Sequence, residues 1–286
     1  MKTGFAGLGV MGGPMARHLV AAGHTVAGYN RSPSKARAWA DAHGGRFAAT
    51  VAEAAAGAEL FILCVGNDDD VRQVVTEALP HLASGAVIVD HTTTSAKVAR
   101  EMSERATGQG AFFIDAPVSG GQAGAENGQL SVMAGGDATA LTRVEPALMA
   151  YSKALKHMGP SGAGQLAKMV NQICIAGVVQ GLAEAVHFAE RAGLDTDAVY
   201  DAVSKGAAQS WQMDNRFKTM ARGEFEFGFA VDWMRKDLGL VLEEARVNGS
   251  HLALTALVDQ FYSEVQALGG ARWDTSSLAA RLQDRV

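Results

Sequence analysis

The chain has 286 residues, 48% hydrophobic and 19% charged, with 33 Gly and 6 Pro; that composition excludes a disordered or fibrous chain. The balance of 25 basic against 30 acidic residues leaves a net charge of −5, so nucleic acid finds no basic footprint, and a small anion must be held by locally placed groups. The two cysteines, Cys64 and Cys174, fall in a strand-like and a helix-like apolar run, which suits buried thiols better than a disulfide framework or a metal site.

In chain order, Met1 and Lys2 with the apolar residues behind them imitate a signal peptide. Gly7, Gly9, Gly12, Gly13 and Pro14 break that run, and Arg17 and His18 follow, so strand, turn and helix fit better. No stretch approaches the ~18 unbroken apolar residues of a membrane span; the expected location is cytoplasmic, with no membrane partner. Residues 2–6 read as a strand and 11–22 as a helix, with Pro14 tolerable in its first turn. A strand at 24–29 and a helix at 34–43 come next. The runs 60–65 and 86–90 read as strands buried on both faces, with helices at 69–82 and 95–108 and a strand at 111–115. Strand–helix alternation of this kind predicts a parallel sheet with right-handed crossovers. A strand run at 129–134, a helix at 138–150 and a strand at 154–157 complete the first domain, 1–161.

The texture then changes. Residues 164–192 form one helical pattern, apolar nearly all round, ending at Gly193. Such a helix is expected to be buried on most faces and to join the domains. Further helices are expected near 195–203, 212–221, 229–246 and 252–268, making 162–286 an all-helical second domain. The break lies near the GPSG of 159–162.

The clearest motif is GLGVMG, with Gly7, Gly9 and Gly12 between the first strand and the first helix. Gly7 permits a tight turn, Gly9 lets the backbone approach a pyrophosphate, and Gly12 packs helix on strand; the intervening Leu8, Val10 and Met11 share the loop. The helix start offers N–H groups and partial positive charge to the phosphates. Tyr29, Asn30, Arg31 and Ser32 end the second strand without an acid. Arg31 would pair with a ribose 2′-phosphate, where an acid would repel it, so NADP is expected ahead of NAD. Val65, Gly66 and Asn67 and the loop Thr92, Thr93, Thr94 lie beyond strand ends, where such sheets bind ligands; Thr94 or Ser95 could equally cap the next helix.

Taken together, GLGVMGGPMA (7–16), DAPVSGG (115–121), GAGQLAKMVNQ (162–172) and WMRKDLGL (233–240) resemble the beta-hydroxyacid dehydrogenase family, which includes 3-hydroxyisobutyrate dehydrogenases and tartronate semialdehyde reductases. The resemblance implies a Rossmann-type, doubly wound, mostly parallel α/β domain, a long inter-domain helix and an all-α C-terminal domain. The implied activity is reversible NAD(P)-dependent oxidation of a three- or four-carbon hydroxy acid to its semialdehyde. It further implies that Ser119, Gly120 and Gly121 anchor the substrate, their exposed N–H groups and hydroxyl suiting a carboxylate. Lys168 matches the family's catalytic lysine. In an apolar helix its ammonium is costly, which favours proton exchange near neutral pH. Asn171 lies one helical turn on, and Gln172 shares that face where many relatives carry a second Asn, leaving open which amide works. Lys236, beside Asp237, matches a Lys-Asp pair that would serve the substrate carboxylate or the cofactor; an ion pair on the surface is the other reading. Trp211 and Phe229 would wall the substrate pocket or belong to the core.

No histidine pair has metal-ligand spacing, and Ser119 lacks a nucleophile elbow, so neither a metal nor hydrolysis is expected. Two other readings of the chain are an imine reductase, which usually replaces the lysine, and a catalytically silent NADP-binding interaction module. A 6-phosphogluconate-type dehydrogenase needs a longer helical domain. A homodimer or homotetramer is expected from the long apolar helix.

Overall fold

In the computed structural model, which describes residues 1–283, strand and helix alternate through the first half as the pattern requires. The first compact unit, Met1–Lys168, runs β1 (Lys2–Ala6), α1 (Gly12–Ala21), β2 (Thr25–Tyr29), α2 (Pro33–His43), β3 (Arg46–Phe47), α3 (Val51–Ala55), β4 (Leu60–Leu63), α4 (Asp68–Ala78), β5 (Val87–Asp90), α5 (Ala96–Thr107), β6 (Phe112–Asp115), β7 (Val118–Ser119), α6 (Gly121–Glu126), β8 (Leu130–Gly135), α7 (Ala138–Leu148), β9 (Ser152–Gly159) and the start of α8 (Ala163–Arg191). The sheet order is β3-β2-β1-β4-β5-β6-β8-β7, with β9 beside β8. The first six strands are parallel, β8 runs antiparallel to β6 and β7, and β9 is parallel to β8. This is the doubly wound Rossmann-type order, whose reversal between β1 and β4 opens a crevice at the carboxyl ends of the strands.

The strands bury both faces because their apolar residues alternate between two cores. Phe5, Leu60, Ile62, Val87, Val89 and Ile114 join one cluster; Ala6, Phe61, Leu63, Ile88 and Phe113 join the other. The sequence reading lacked β3, α3, β7 and α6, which at 2 to 6 residues are too short to carry a period. The helix expected over 69–82 stops at Ala78 and tightens into a 3-10 turn at Leu79–His81, at the proline.

The second unit starts at Met169 and holds the rest of α8, α9 (Thr196–Val203), α10 (Trp211–Ala221), α11 (Val231–Asn248), α12 (Ala253–Ala267), a 3-10 turn (Thr275–Ala279) and α13 (Ala280–Gln283). Its core gathers Val179, Val186, Phe217, Met234, Leu238 and Tyr262. Among the described residues its only β pairing is an isolated bridge, Ala230 to Asp274. The expected boundary at 161/162 falls just before α8, whereas the compact units divide seven residues later, inside that helix.

One expectation for α8 is corrected. Ala176, Val179, Leu182, Ala183 and Val186 are buried, but Val170 (60% exposed), Val178 (37%) and Phe188 (71%) are not, and Cys174, expected in the core, is exposed. With exposed Gly181 and Ala185 they follow a spacing of 4, 4, 3, 4 and 3, one continuous stripe along the helix. By length and composition alone α8 is long and apolar enough, at a mean hydropathy of 1.4, to cross a membrane, although 44% of its most apolar stretch is buried in the chain itself. The buried half packs into the helical core, which is the pattern of a core helix with an apolar outer face.

Candidate cofactor and substrate site

The chain leaves β1 and turns on Gly7, whose φ is +96°, a conformation that side-chain-bearing residues rarely adopt. A Cβ on Gly7 would meet the Cys64 carbonyl oxygen at 2.1 Å, and one on Gly12 would meet the Gly7 carbonyl oxygen at 1.9 Å. Around a Cβ on Gly9 nothing lies within 4 Å. Two glycines therefore close the turn against strand and helix, and the third leaves its outer side open. Val10 is exposed and Met11, the N-cap of α1, offers no side-chain acceptor to the first turn. This cradle fits a dinucleotide diphosphate at the helix start. Asn30 works inward: its Oδ1 accepts the Leu8 N–H at 3.0 Å and its Nδ2 donates to the Ser32 carbonyl at 3.3 Å, tying the glycine loop to the end of β2.

Ser32 is the N-cap of α2 but makes no side-chain cap bond, Pro33 opens the helix, and its first turn holds no acid. Arg31 is 88% exposed and lies 3.6 Å from Asp70 Oδ1. An ion pair this exposed is worth at most ~1 kcal/mol, so the guanidinium is available to another anion. Beyond β4, the Val65 N–H donates to Thr92 Oγ1 at 3.0 Å and the Gly66 N–H to Asp70 Oδ2 at 3.1 Å. Asn67 caps α4, and Ser95, not Thr94, caps α5. Thr92 is thus a strap between the loops after β4 and β5.

At the ends of β5 and β6 the structure holds a polar network that sequence reading passed over. Asp115 Oδ1 accepts the Gly162 N–H at 2.7 Å and Oδ2 accepts the Gln165 N–H at 3.0 Å. Burial pushes its carboxyl up to about 6, opposed by those N–H bonds. Asp90, fully buried next to it, is pushed up to about 7 by burial, while its contacts with Thr92 act against the shift. The side chain of Gln165 donates to the Thr92 carbonyl at 2.8 Å and accepts the Thr94 N–H at 3.0 Å. His91 lies 2.6 Å from the Ala116 carbonyl through Nδ1 and 2.8 Å from the Tyr151 hydroxyl through Nε2. A carbonyl only accepts, so neutral His91 carries its proton on Nδ1 and Nε2 accepts from Tyr151; burial holds it neutral, down to about 4. The sequence signal was a polar residue closing an otherwise apolar strand, at Asp90 and at Asp115.

From this network hang two of the expected substrate elements. Asp115 opens the segment that reaches Ser119, with Gly120 and Gly121 exposed at φ +132° and +60°. It also holds the start of α8, on which Lys168, 8% exposed, lies one turn past Gln165. In the second unit, Asn171 is half-buried and donates to Gln172 Oε1 at 2.7 Å. Buried Gln172 donates in turn to Asp237 Oδ2 at 2.6 Å, and Lys236 lies 3.2 Å from Asp237 Oδ1. Gln172 is therefore pinned, leaving Asn171 the more accessible amide. Trp211 is 57% exposed with Arg216 stacked at 5.4 Å, and Phe229 packs against the helical core. Among the described residues no group of three His, Cys, Asp or Glu could hold a metal.

Two family models cover the chain: the NAD binding domain of 6-phosphogluconate dehydrogenase matches residues 2–159, and the NAD-binding domain of NADP-dependent 3-hydroxyisobutyrate dehydrogenase matches 162–282. An uncharacterized oxidoreductase of Shewanella frigidimarina is 61% identical over 99% of this chain and 98% of its own. The solved 3-hydroxyisobutyrate dehydrogenase of Mycobacterium tuberculosis, with L-serine, is 33% identical at a TM-score of 0.89, covering 98% of both chains. A structure in complex with NADP+ and 2-OPP is 25% identical at a TM-score of 0.88, covering 98% of this chain and 99% of the other.

Proposed function

The chain belongs to the beta-hydroxyacid dehydrogenase family of NAD(P)-dependent oxidoreductases, and we propose that it interconverts a three- or four-carbon hydroxy acid and its semialdehyde with NADP, using Lys168 as acid and base. The observation that carries the reading is a lysine only 8% exposed, on a helix whose first turn is hydrogen-bonded to the carboxyl ends of β5 and β6. Bound NADP supplies the hydride acceptor in one direction and the donor in the other. Lys168 Nζ takes the substrate hydroxyl proton during oxidation and returns it to the developing alkoxide during reduction. Ser119 and the N–H groups of Gly120 and Gly121 hold the carboxylate. Asn171, one turn from Lys168, hydrogen-bonds the substrate oxygen or orients the amine, while Gln172 stays with Asp237. Lys236 adds positive charge for the carboxylate.

NADP is favoured by the absence of an acid at Tyr29 to Ser32, by exposed Arg31, and by the NADP-dependent dehydrogenase whose domain matches the second half. Assembly as a homodimer or homotetramer is supported by the exposed apolar stripe of α8, which a second copy would cover.

The test is absorbance at the reduced-nicotinamide band with NADP or NAD and 3-hydroxyisobutyrate, glycerate, 4-hydroxybutyrate or serine, the aldehydes being used in reverse. Wild type is expected to turn over at least one acid with NADP, and Lys168→Ala to keep cofactor binding and lose turnover. Tight NADP binding without turnover of any compound would instead favour a silent binding module.

A further inference from the structure

We infer that Gln165 is a positioning residue: its side-chain amide, braced by Asp115, fixes where α8 presents Lys168 relative to the loop Thr92 to Thr94. The inference rests on the acid–base reading of Lys168 and adds what holds that lysine in place.

Gln165 is fully buried. Its amide donates to the Thr92 carbonyl and accepts the Thr94 N–H, the same pair of main-chain groups that a neighbouring strand would engage. Its own N–H goes to Asp115 Oδ2, and Gly162 N–H to Asp115 Oδ1. The first turn of α8, whose N–H groups have no partner within the helix, is thus fixed at both ends of one turn by a strand-borne carboxylate. Lys168 follows three residues later, about 4.5 Å along the axis and on nearly the same face, so a shift of the helix at Gln165 carries the Lys168 backbone with it. Thr92 is itself strapped to Val65 at the end of β4. The amide therefore links the loops at the strand ends, where this fold binds dinucleotides, to the residue that exchanges the proton.

The chemistry of the position is narrow. A methionine has nearly the size of glutamine but leaves the Thr92 carbonyl and the Thr94 N–H buried and unpaired. An ionised glutamate still accepts from Thr94 but turns an anionic oxygen to the Thr92 carbonyl and stands beside Asp115. A protonated glutamate has one donor and one acceptor and restores both bonds.

The experiment compares wild type, Gln165→Met, Gln165→Glu and Lys168→Ala. Each is assayed with NADP and whichever of the four acids wild type oxidises fastest, with NADPH affinity from fluorescence titration and the primary isotope effect from substrate deuterated at the carbinol carbon. Because an ångström of misplacement costs a reacting pair on the order of 100-fold, Gln165→Met is expected to lose at least tenfold in kcat. Its KM and NADPH affinity should stay within about threefold of wild type, and its isotope effect should change. Gln165→Glu should regain kcat relative to wild type as the pH is lowered. A Gln165→Met kcat within about twofold of wild type overturns the inference, as does parallel loss of kcat, cofactor affinity and melting temperature with no acid recovery in Gln165→Glu. Turnover retained by Lys168→Ala sinks the acid–base reading. A dead Lys168→Ala beside a fully active Gln165→Met sinks only the role given to Gln165. A wild type that oxidises none of the four acids overturns both.

Discussion

Asp90 and Asp115 stand side by side in register at the carboxyl ends of β5 and β6, both with no solvent exposure. Asp90 Oδ2 has no hydrogen-bond partner among the described residues, and each carboxyl is raised by burial, to about 7 and about 6. A carboxyl raised in the folded state contributes stability that is complete below its unfolded value near 3.8 and lost as pH climbs through the folded one. The melting temperature should therefore carry a fall between about pH 4 and about pH 7 that Asp90→Asn makes shallower. His91, held down to about 4, contributes a slope of opposite sign in both proteins and cancels in the comparison. Thermal unfolding at four pH values checks this; identical slopes for wild type and variant would refute it.

Alanine at two glycines should separate folding from ligand binding. Gly9→Ala puts its methyl into open space, so the melting temperature should barely move while NADPH affinity falls at least about tenfold, the methyl lying where the diphosphate approaches. Gly7→Ala meets the Cys64 carbonyl at a left-handed φ and should cost about 2 kcal/mol or more of stability. Paired denaturation and fluorescence titrations would read both; equal melting losses would contradict the assignment of Gly9.

Lys168→Arg keeps a cation on α8 but replaces the amine with a guanidinium that does not give up its proton. If Lys168 is the acid and base, kcat should fall on the order of 100-fold or more, with NADPH affinity intact. Near-normal turnover in a pH–rate profile would show that positive charge alone suffices there.

Arg31→Ala should weaken NADP by about 1–3 kcal/mol through loss of a charge-assisted contact, and leave NAD unaffected. The measurement is the ratio of KM values for the two cofactors, with the NADP effect shrinking as salt rises. An unchanged ratio would remove Arg31 from the cofactor site.

Phe188→Glu places a charge in the exposed apolar stripe of α8. Sedimentation velocity should report a smaller species than wild type at equal concentration, with the far-ultraviolet spectrum preserved. Wild type sedimenting as a monomer would withdraw the proposed assembly.

The sheet was legible because its strands are doubly buried: LFIL and VIVD admit no other reading once helices alternate with them. The glycine loop was legible for the same local reason. What escaped were β3, α3, β7 and α6, whose existence depends on neighbours rather than on period, and the outer face of α8. An apolar residue looks the same whether its own chain or another surface covers it, so sequence alone does not tell the outward positions Val170, Cys174 and Phe188 from the buried ones of the same helix. The polar network was hidden more deeply. Nothing local to Gln165 announces that its partners are Thr92 and Thr94, over seventy positions away. Nor does anything local to Gln172 announce its bond to Asp237, which sets its surroundings apart from those of Asn171.

The cap that Asp115 places on α8 also decides where this protein tolerates a seam. Domain exchange between relatives is naturally planned at the GPSG break, and a cut there would put Gly162 and Gln165 on donor chain and Asp115, Thr92 and Thr94 on host. The graft would then inherit a helix whose opening turn was tuned to another sheet. A seam after Lys168, where the compact units divide, transfers the helical body and leaves cap, amide and lysine from a single parent.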